Sequence, residues 1–167
     1  VLIPYFFNFL IRDRIRKGRF PWTAAGLIKS VFSLSYFAFG SLLVTGFGYV
    51  LVKWNPFRGP RSRYIYHRLL SSYTWSVLYI MTNVKKKIIN PDKEDFSKPC
   101  VMIANHQSFL DILVMTMLYP KVVLLTNEWV WKSPLFGKLV RMAGYYRVAD
   151  GIENSIEYLR EQVRQGY

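Results

Sequence analysis

Residues 31–52 read VFSLSYFAFGSLLVTGFGYVLV, and this stretch contains no charged side chain. As an α-helix it would extend roughly 33 Å at ~1.5 Å per residue, which matches a hydrocarbon core of about 30 Å. Trp22 precedes the stretch and Trp54 follows it, and membrane interfaces are enriched in such aromatic residues. The alternative, a buried helix of a soluble protein, leaves little chain to cover it. The stretch therefore predicts a helix that enters a lipid bilayer.

Basic residues stand on both sides of this stretch, namely Arg12, Arg14, Arg16, Lys17 and Arg19 before it and Lys53, Arg58, Arg61 and Arg63 after it. A membrane-crossing helix is expected to keep its basic flank on one side only. A re-entrant hairpin with both ends on one face explains two basic flanks, so crossing and re-entry both remain open. The apolar residues Val1–Ile11 are interpreted as the end of an earlier apolar segment, cut off in a piece of a longer chain.

The charge of the 167-residue chain is concentrated in one half. Lys and Arg number 23 against 10 Asp and Glu, but residues 1–91 hold a single acid, Asp13, whereas residues 92–167 carry equal numbers of each sign. Hydrophobic residues make up 51% of the chain, which excludes intrinsic disorder, and the lone Cys100 excludes a disulfide scaffold. A nucleic-acid binder carries its basic residues on one face of a folded domain. Here the basic residues flank apolar stretches instead, so no nucleic-acid partner is expected.

Three regions are predicted: a membrane-associated helical segment over residues 1–91, a linker over residues 92–99, and an α/β domain from residue 100 to 167. Within the first region, Tyr64–Met81 has only about thirteen uncharged residues after Arg68, which are too few to span a bilayer. Basic residues flank it, which suits an interfacial helix on anionic lipid, although a core helix of the following domain remains an alternative. The linker is polar and rich in turn-forming residues.

Strands alternate with helices in the last region. The predicted strands are Cys100–Ala104, Val122–Thr126 and Tyr145–Val148; the predicted helices are Ser108–Tyr119, a broken Glu128–Met142, and an amphipathic Gly151–Gln165 that Gly166 ends. This order predicts an α/β sheet with flanking helices.

One junction between a strand and a helix carries chemistry: Asn105-His106-Gln107-Ser108-Phe109-Leu110-Asp111. Across such a bend, Asp111 can accept a hydrogen bond from one imidazole nitrogen of His106 and leave the other as an oriented base. We expect the pair to deprotonate a substrate hydroxyl directly, rather than to activate a serine or cysteine nucleophile. Ser108-x-x-Asp111 also fits a helix capping box, and this structural alternative remains open.

The chain here resembles the glycerolipid acyltransferases, which include the lysophosphatidic acid acyltransferases. Their Asn-His-x4-Asp motif is followed by an acidic residue, a Pro, a Gly, and a second Gly before a strand that carries an Arg. Glu128, Pro134, Gly137, Gly144 and Arg147 appear in that order. The family's Arg is expected where Asp150 stands, so Arg147, three residues earlier, is the candidate, and Asp150 is predicted to cap the last helix with Glu153 three residues on.

The resemblance implies the fold, a glycerolipid-acyltransferase-like sheet with flanking helices, and the reaction. A membrane-bound O-acyltransferase would move a fatty acyl group from acyl carrier protein or coenzyme A to a lysophospholipid hydroxyl, such as that of 1-acylglycerol-3-phosphate. The implied catalytic residues are His106 and Asp111, and the implied substrate-binding residues are Arg147, Asn105 and Gly144. Membrane lipids and the thioester donor are the expected partners, with neither a metal nor a resident cofactor.

The expected location is the bacterial inner membrane, with the catalytic half on the cytoplasmic face. The family's later Glu-Gly-Thr motif would fall just past Tyr167, so the chain is expected to continue, and the activity of this segment alone is left open. The alternative function is a non-enzymatic membrane anchor or lipid-binding module of a larger transporter fusion.

Overall fold

The computed structural model describes residues 24–54, 60–82, 84–89, 96, 98–105 and 107–167. The elements within these residues are, in chain order, α1 (Ala24–Tyr49), α2 (Pro60–Ile80), α3 (Phe109–Leu118), β1 (Leu125–Thr126), α4 (Glu128–Lys132), α5 (Phe136–Met142), β2 (Tyr146–Arg147) and α6 (Ile152–Arg164). A π-helical turn, Val50–Trp54, extends α1, and a 3₁₀ turn, Val148–Asp150, joins β2 to α6. The predicted segment Val1–Ile11 and most of the predicted linker lie outside the described residues.

The predicted alternation of strands and helices is confirmed in part. α3 begins and ends within one residue of its prediction, and the broken helix appears as α4 and α5, separated at Ser133–Leu135. The two observed strands are shorter than predicted and form a parallel pair, with Leu125 opposite Tyr146. The structure is therefore mostly helical, with a small sheet compatible with the predicted α/β class.

The predicted buried strand Cys100–Ala104 is wrong for this structure. These residues are not part of a strand, and the side chains of Val101 and Ile103 are 88% and 93% exposed. An apolar run becomes a buried strand only when a neighbouring strand pairs with it and another layer covers it. In the described part of the chain, β1 pairs with β2 alone.

Helices α1 and α2 approach closely because two tyrosine rings lie on two glycines. Tyr73 of α2 covers Gly40 of α1, and Tyr66 covers Gly48, so closely that a Cβ atom at either glycine would overlap the ring. The hydroxyl of Tyr73 also donates a hydrogen bond to the carbonyl of Phe37, and Tyr66 is fully buried. Neither ring can therefore move aside without breaking other contacts.

The two sides of α1 differ in what they contact. Ser33, Ser41, Val44 and Gly48 are buried against the rest of the chain at helical spacing. Tyr36 and Phe37 are half-buried and contact Tyr73 of α2. The exposed large side chains are Leu27, Ile28, Val31, Phe32, Leu34, Phe39, Leu42, Leu43, Phe47 and Tyr49. Among the described residues, Ala25–Val52 is the one helix long and apolar enough to cross a membrane, with a mean hydropathy of 1.6.

Helix α2 has both a core face and an exposed face. Val77 and Leu78 pack with Leu113 of α3 in one core cluster, and Ser71 donates to the carbonyl of Met117 at 3.2 Å. On the opposite face, Trp75 is exposed and stacks on Tyr79. α2 therefore serves as a core helix along one side, as one alternative predicted, and presents aromatic residues on the other.

Arg63 and His67 of α2 join this helix to the corner between α5 and β2. The Arg63 guanidinium donates to the carbonyls of Ala143 and Gly144 at 3.2–3.3 Å and to the amide oxygen of Gln162 in α6 at 2.6 Å. His67 Nε2 lies 2.8 Å from the Ala143 carbonyl, and burial lowers the pKa of His67 to about 4. The imidazole is therefore neutral at pH 7 and donates from Nε2.

Helix α6 is confirmed in its extent, but not in its cap. Gly151, with a φ of 97°, occupies the N-cap position that was predicted for Asp150, and it provides no side-chain cap. The helix packs through its polar side, where Gln162 is buried, while Ile156 and Val163 of its apolar stripe stay about half exposed.

The packing of α1 on α2 generates a prediction for glycine substitutions. Gly40→Ala and Gly48→Ala should each lower the free energy of unfolding by about 1–3 kcal/mol, the usual cost of overpacking. Denaturant or thermal unfolding of the detergent-solubilised protein measures the change.

Gly46→Ala is the matched control, because nothing lies within 4 Å of a Cβ atom at Gly46. Alanine is the better helix former by up to about 1 kcal/mol, so this variant should be unchanged or more stable. Equal stability of all three variants would contradict the proposed close approach.

Candidate active site

The turn that opens α3 is organised by a capping box. Ser108 is the N-cap with an extended backbone, and its Oγ accepts a hydrogen bond from the Leu110 N–H at 3.1 Å. The Asp111 carboxylate reaches back, and its Oδ2 accepts from the N–H groups of Ser108 and Gln107, each at 2.6 Å. The sequence pattern Ser-x-x-Asp thus forms the reciprocal cap that it predicts.

A capping role for Asp111 is chemically compatible with a role beside His106. An ionised carboxylate offers about four lone-pair sites, and both backbone bonds go to Oδ2. The Ser108 hydroxyl lies 3.5 Å from Oδ1. His106 itself lies outside the described residues, so its contact with Asp111 remains a prediction. The cap fixes the Asp111 carboxylate on the backbone N–H groups of Gln107 and Ser108, the two residues that follow His106 in the sequence.

The first turn of α3 also suits a negative charge. The N-terminus of a helix carries a partial positive charge, which stabilises an ionised carboxylate there. Asp111 is the acidic residue of this first turn. Its charge is therefore held by the helix as well as by the two backbone N–H groups.

Arg147, at the end of β2, lies in a cluster of opposite charges. Its guanidinium bonds the Asp150 carboxylate, with Nε 2.9 Å from Oδ1, and Nη1 lies 3.2 Å from Oε2 of Glu128 in α4. The guanidinium also lies over the ring of Trp131, 5.8 Å from its centroid. The structure thus brings together three residues that the sequence placed near one site: Glu128, Arg147 and Asp150.

The ion pairs of this cluster shift the titration of its members. Hydrogen bonds from Lys132 and, to a smaller extent, the charge of Arg147 lower the pKa of Glu128. Arg147 lowers the pKa of Asp150, and Asp150 in turn raises the pKa of Arg147. Both carboxylates are therefore ionised at neutral pH, and any anion that binds Arg147 must compete with them.

The backbone leaves the extended conformation of β2 directly after Arg147. In a regular strand, residues 147 and 150 would face opposite sides. Here β2 ends at Arg147, and Val148–Asp150 forms a 3₁₀ turn, so Arg147 and Asp150 face each other and bond directly.

Gly144, a predicted substrate-binding residue, contacts Arg63 and α6. Its φ is 64°, a conformation that favours glycine, and a Cβ atom there would overlap the Arg63 guanidinium. Its carbonyl accepts hydrogen bonds from Arg63 and from the Tyr158 hydroxyl. These contacts explain the glycine without a substrate.

The remaining predicted residue, Asn105, is exposed on the irregular segment that precedes the turn. Among the described residues, no group of three His, Cys, Asp or Glu side chains could hold a metal ion. The contacts described for Asp111 lie within residues 107–111, whereas those of Arg147 reach α4 and the 3₁₀ turn that follows β2.

The sequence did not reveal the structural roles of His67 and of Arg63, which was assigned above to the basic flank of the apolar stretch. Their spacing of four residues places both on one side of α2, the side that carries the buried Tyr66 and Leu70. This shared side could have indicated that both residues contact the rest of the chain. The sequence does not reveal which side of α2 is buried, because aromatic residues occur on several sides of the helix.

Comparison with known families identifies a match. The family model described as Acyltransferase matches residues 79–167, which is more than half of the chain. No curated protein and no solved structure matches the chain. The matched residues contain the capped turn of α3 and the Arg147 cluster. The chain belongs to the acyltransferase family, as its resemblance to the glycerolipid acyltransferases predicted.

Proposed function

We propose that this protein is a membrane-bound O-acyltransferase that moves a fatty acyl group to a lysophospholipid hydroxyl, such as that of 1-acylglycerol-3-phosphate. The donor is the thioester of acyl carrier protein or coenzyme A. The observation that carries the proposal is the capped turn of α3, which fixes the Asp111 carboxylate on the backbone N–H groups of Gln107 and Ser108, directly after His106 in the sequence. The family match supports acyl transfer in general.

In the proposed reaction, His106 removes the proton of the acceptor hydroxyl while the oxygen attacks the thioester carbonyl. The tetrahedral intermediate then collapses, the carbon–sulfur bond breaks, and the imidazolium returns its proton to the leaving thiolate. Asp111 holds the imidazole in one tautomer and stabilises the imidazolium. The products are the acylated lipid and the free thiol.

The oxyanion of that intermediate needs donors outside the cap. The N–H groups of Gln107 and Ser108 already donate to Asp111, and that of Leu110 donates to Ser108 Oγ. The Asp111 N–H donates to the Ser108 carbonyl at 3.2 Å. Donors to the oxyanion therefore come from other groups, because these four are engaged in holding the turn.

Arg147 is the proposed ligand of the acceptor's anionic group, because a guanidinium binds phosphate in a bidentate manner. An incoming phosphate would exchange with the carboxylates of Asp150 and Glu128, which hold the guanidinium in place. Asn105, exposed ahead of the turn, is kept as a further candidate contact.

Attachment to the membrane is proposed to use the outward side of α1, inserted in one leaflet. Phe37 lies near the middle of the apolar helix Ala25–Val52 and contacts Phe109, next to the capped turn. If α1 crossed the bilayer along its normal, this contact would bring Ser108 and Asp111 near the bilayer centre, where polar groups are costly. The contact therefore argues against crossing. Because Ala24–Tyr49 is one unbroken helix and not a hairpin, we propose that it lies in one leaflet with both ends on the same face.

The proposed location is the cytoplasmic face of the bacterial inner membrane. Both thioester donors are cytoplasmic, and basic residues on both flanks of the apolar helix fit one anionic face. No specific observation favours the alternative of a non-enzymatic anchor.

The catalytic pair is tested in the full-length protein. His106→Ala should lower kcat by about 10²- to 10⁴-fold, the usual contribution of a positioned general base. Asp111→Asn should also lose activity strongly, because an amide cannot stabilise the imidazolium. Thioester consumption with a lysophospholipid acceptor measures both rates.

Circular dichroism supplies the control for the catalytic pair, since Asp111 also caps α3. Ser108→Ala removes the cap's hydroxyl but leaves the carboxylate, so it separates loss of capping from loss of chemistry. Near-normal turnover of folded His106→Ala protein would contradict the catalytic role of His106, and the turn would then have only its capping role.

The role of Arg147 predicts a loss confined to the acceptor. Arg147→Ala should lower kcat/KM for the anionic acceptor roughly 10- to 150-fold, the equivalent of about 1.5–3 kcal/mol for a hydrogen bond to a charged group. kcat/KM for the thioester should change little. Asp150→Asn should lower the acceptor's KM, because it removes a competing charge from the guanidinium.

Arg164→Ala is the matched control, because Arg164 is also paired with a carboxylate, that of Glu161, on an exposed surface. It should behave as the wild type toward both substrates. Equal losses toward donor and acceptor in Arg147→Ala would remove Arg147 from the acceptor site.

The proposed attachment predicts that high salt or carbonate leaves the protein on membranes and that detergent releases it, because apolar insertion is insensitive to salt. Single cysteines at Ala25 and Lys53, in a Cys100→Ser background, test the topology. In intact vesicles both should react with an impermeant maleimide from the same side. Labelling of the two positions from opposite sides would establish crossing.

A further inference from the structure

Three phenylalanine rings from three helices meet beside the capped turn. Phe37 of α1 lies edge to face against Phe109, with ring centroids 5.0 Å apart. Phe136 of α5 is 5.6 Å from Phe109 and 5.7 Å from Phe37. Phe109 is the first residue of α3, directly after the N-cap and two residues before Asp111. Contacts to its ring therefore act on the backbone that carries the cap.

Phe37 is itself held firmly in place. Its carbonyl accepts a hydrogen bond from the Tyr73 hydroxyl, and its ring stacks on that of Tyr73 at 6.4 Å. Tyr73 in turn covers Gly40, one helical turn further along α1. A continuous set of packed groups therefore runs from the α1–α2 contact to the start of α3.

The opposite side of α1 does not share these contacts. Phe39 is 65% exposed and lies two residues away, on the outward apolar side. A single helix thus presents one phenylalanine to the candidate catalytic turn and another to its surroundings. Substitutions at these two positions can separate attachment from catalysis.

We propose that Phe37 is a positioning residue for the acyl transfer reaction, and that it acts by fixing Phe109 and hence the Asp111 turn. This inference rests on the proposed function. The family match begins at residue 79, so it leaves out α1. The apolar helix is then part of the catalytic apparatus as well as an attachment to lipid.

The test uses Phe37→Leu and Phe37→Ala in the full-length protein, assayed in detergent micelles, where vesicle binding does not limit the rate. Both variants should lower kcat by about 10- to 100-fold, since displacing a catalytic group by about 1 Å can cost 10²-fold. KM for the thioester and for the lysophospholipid should change little, because Phe37 contacts neither. Phe39→Leu is the matched control and should keep the wild-type kcat in micelles.

A double-substitution cycle distinguishes positioning from general destabilisation. If Phe37 acts through the Asp111 turn, Phe37→Leu should cost much less kcat in an Asp111→Asn background than in the wild type. Multiplicative losses would overturn the proposal, as would a fall in kcat that only follows the folded fraction measured by circular dichroism. Phe37→Leu retains an apolar side chain, so it decides the matter if Phe37→Ala fails to fold.

Failure of this inference is separable from failure of the proposed function. Wild-type kcat in folded Phe37→Leu protein, together with an inactive His106→Ala variant, would overturn the positioning role alone. An active His106→Ala variant would overturn the proposed chemistry on which it rests.

Discussion

The close approach of α1 and α2 is the constraint on which the other contacts depend. Tyr66 and Tyr73 can lie on α1 only where the side chain opposite them is a hydrogen atom, at Gly48 and Gly40. The same rings then define where α2 stands. α2 in turn packs against α3 and bonds it through Ser71. Through Arg63, α2 also bonds the corner between α5 and β2. Loosening the first contact would therefore displace elements far from it in sequence.

The parts of the fold that the sequence predicts are those with local signals. Ser108 caps α3, Pro134 lies in the break between α4 and α5, and Gly166 follows the end of α6. The apolar residues Cys100–Ala104 predict a strand by their composition. A strand also needs a pairing partner, and that partner is distant in sequence, so the composition does not reveal whether one is present. The cap of α6 fails for a related reason, because Arg147 competes for the Asp150 carboxylate.

The candidate site follows the same division. Spacing alone predicts both a capping box and a His–Asp pair, and it cannot choose between them. The structure confirms the capping box, and the His–Asp pair stays a prediction. Spacing also selects Arg147 and Gly144. Spacing does not predict that the Arg147 guanidinium binds two carboxylates, or that the Arg63 guanidinium packs on Gly144. Both contacts depend on how α2 and α4 pack around β2.

The mid-helix position of Phe37 has a consequence for how hydroxyl compounds reach the enzyme. In the proposed arrangement, with α1 in one leaflet, the contact with Phe109 would set the candidate catalytic turn at a fixed height relative to the lipid plane. A lysolipid in that leaflet carries its hydroxyl at a height set by its own glycerol backbone and diffuses in two dimensions toward the turn. A water-soluble alcohol of the same reactivity diffuses in three dimensions, and its hydroxyl is not held at the height of the turn. Under the proposed function, discrimination between the two would begin with where each molecule resides, before any side chain touches it.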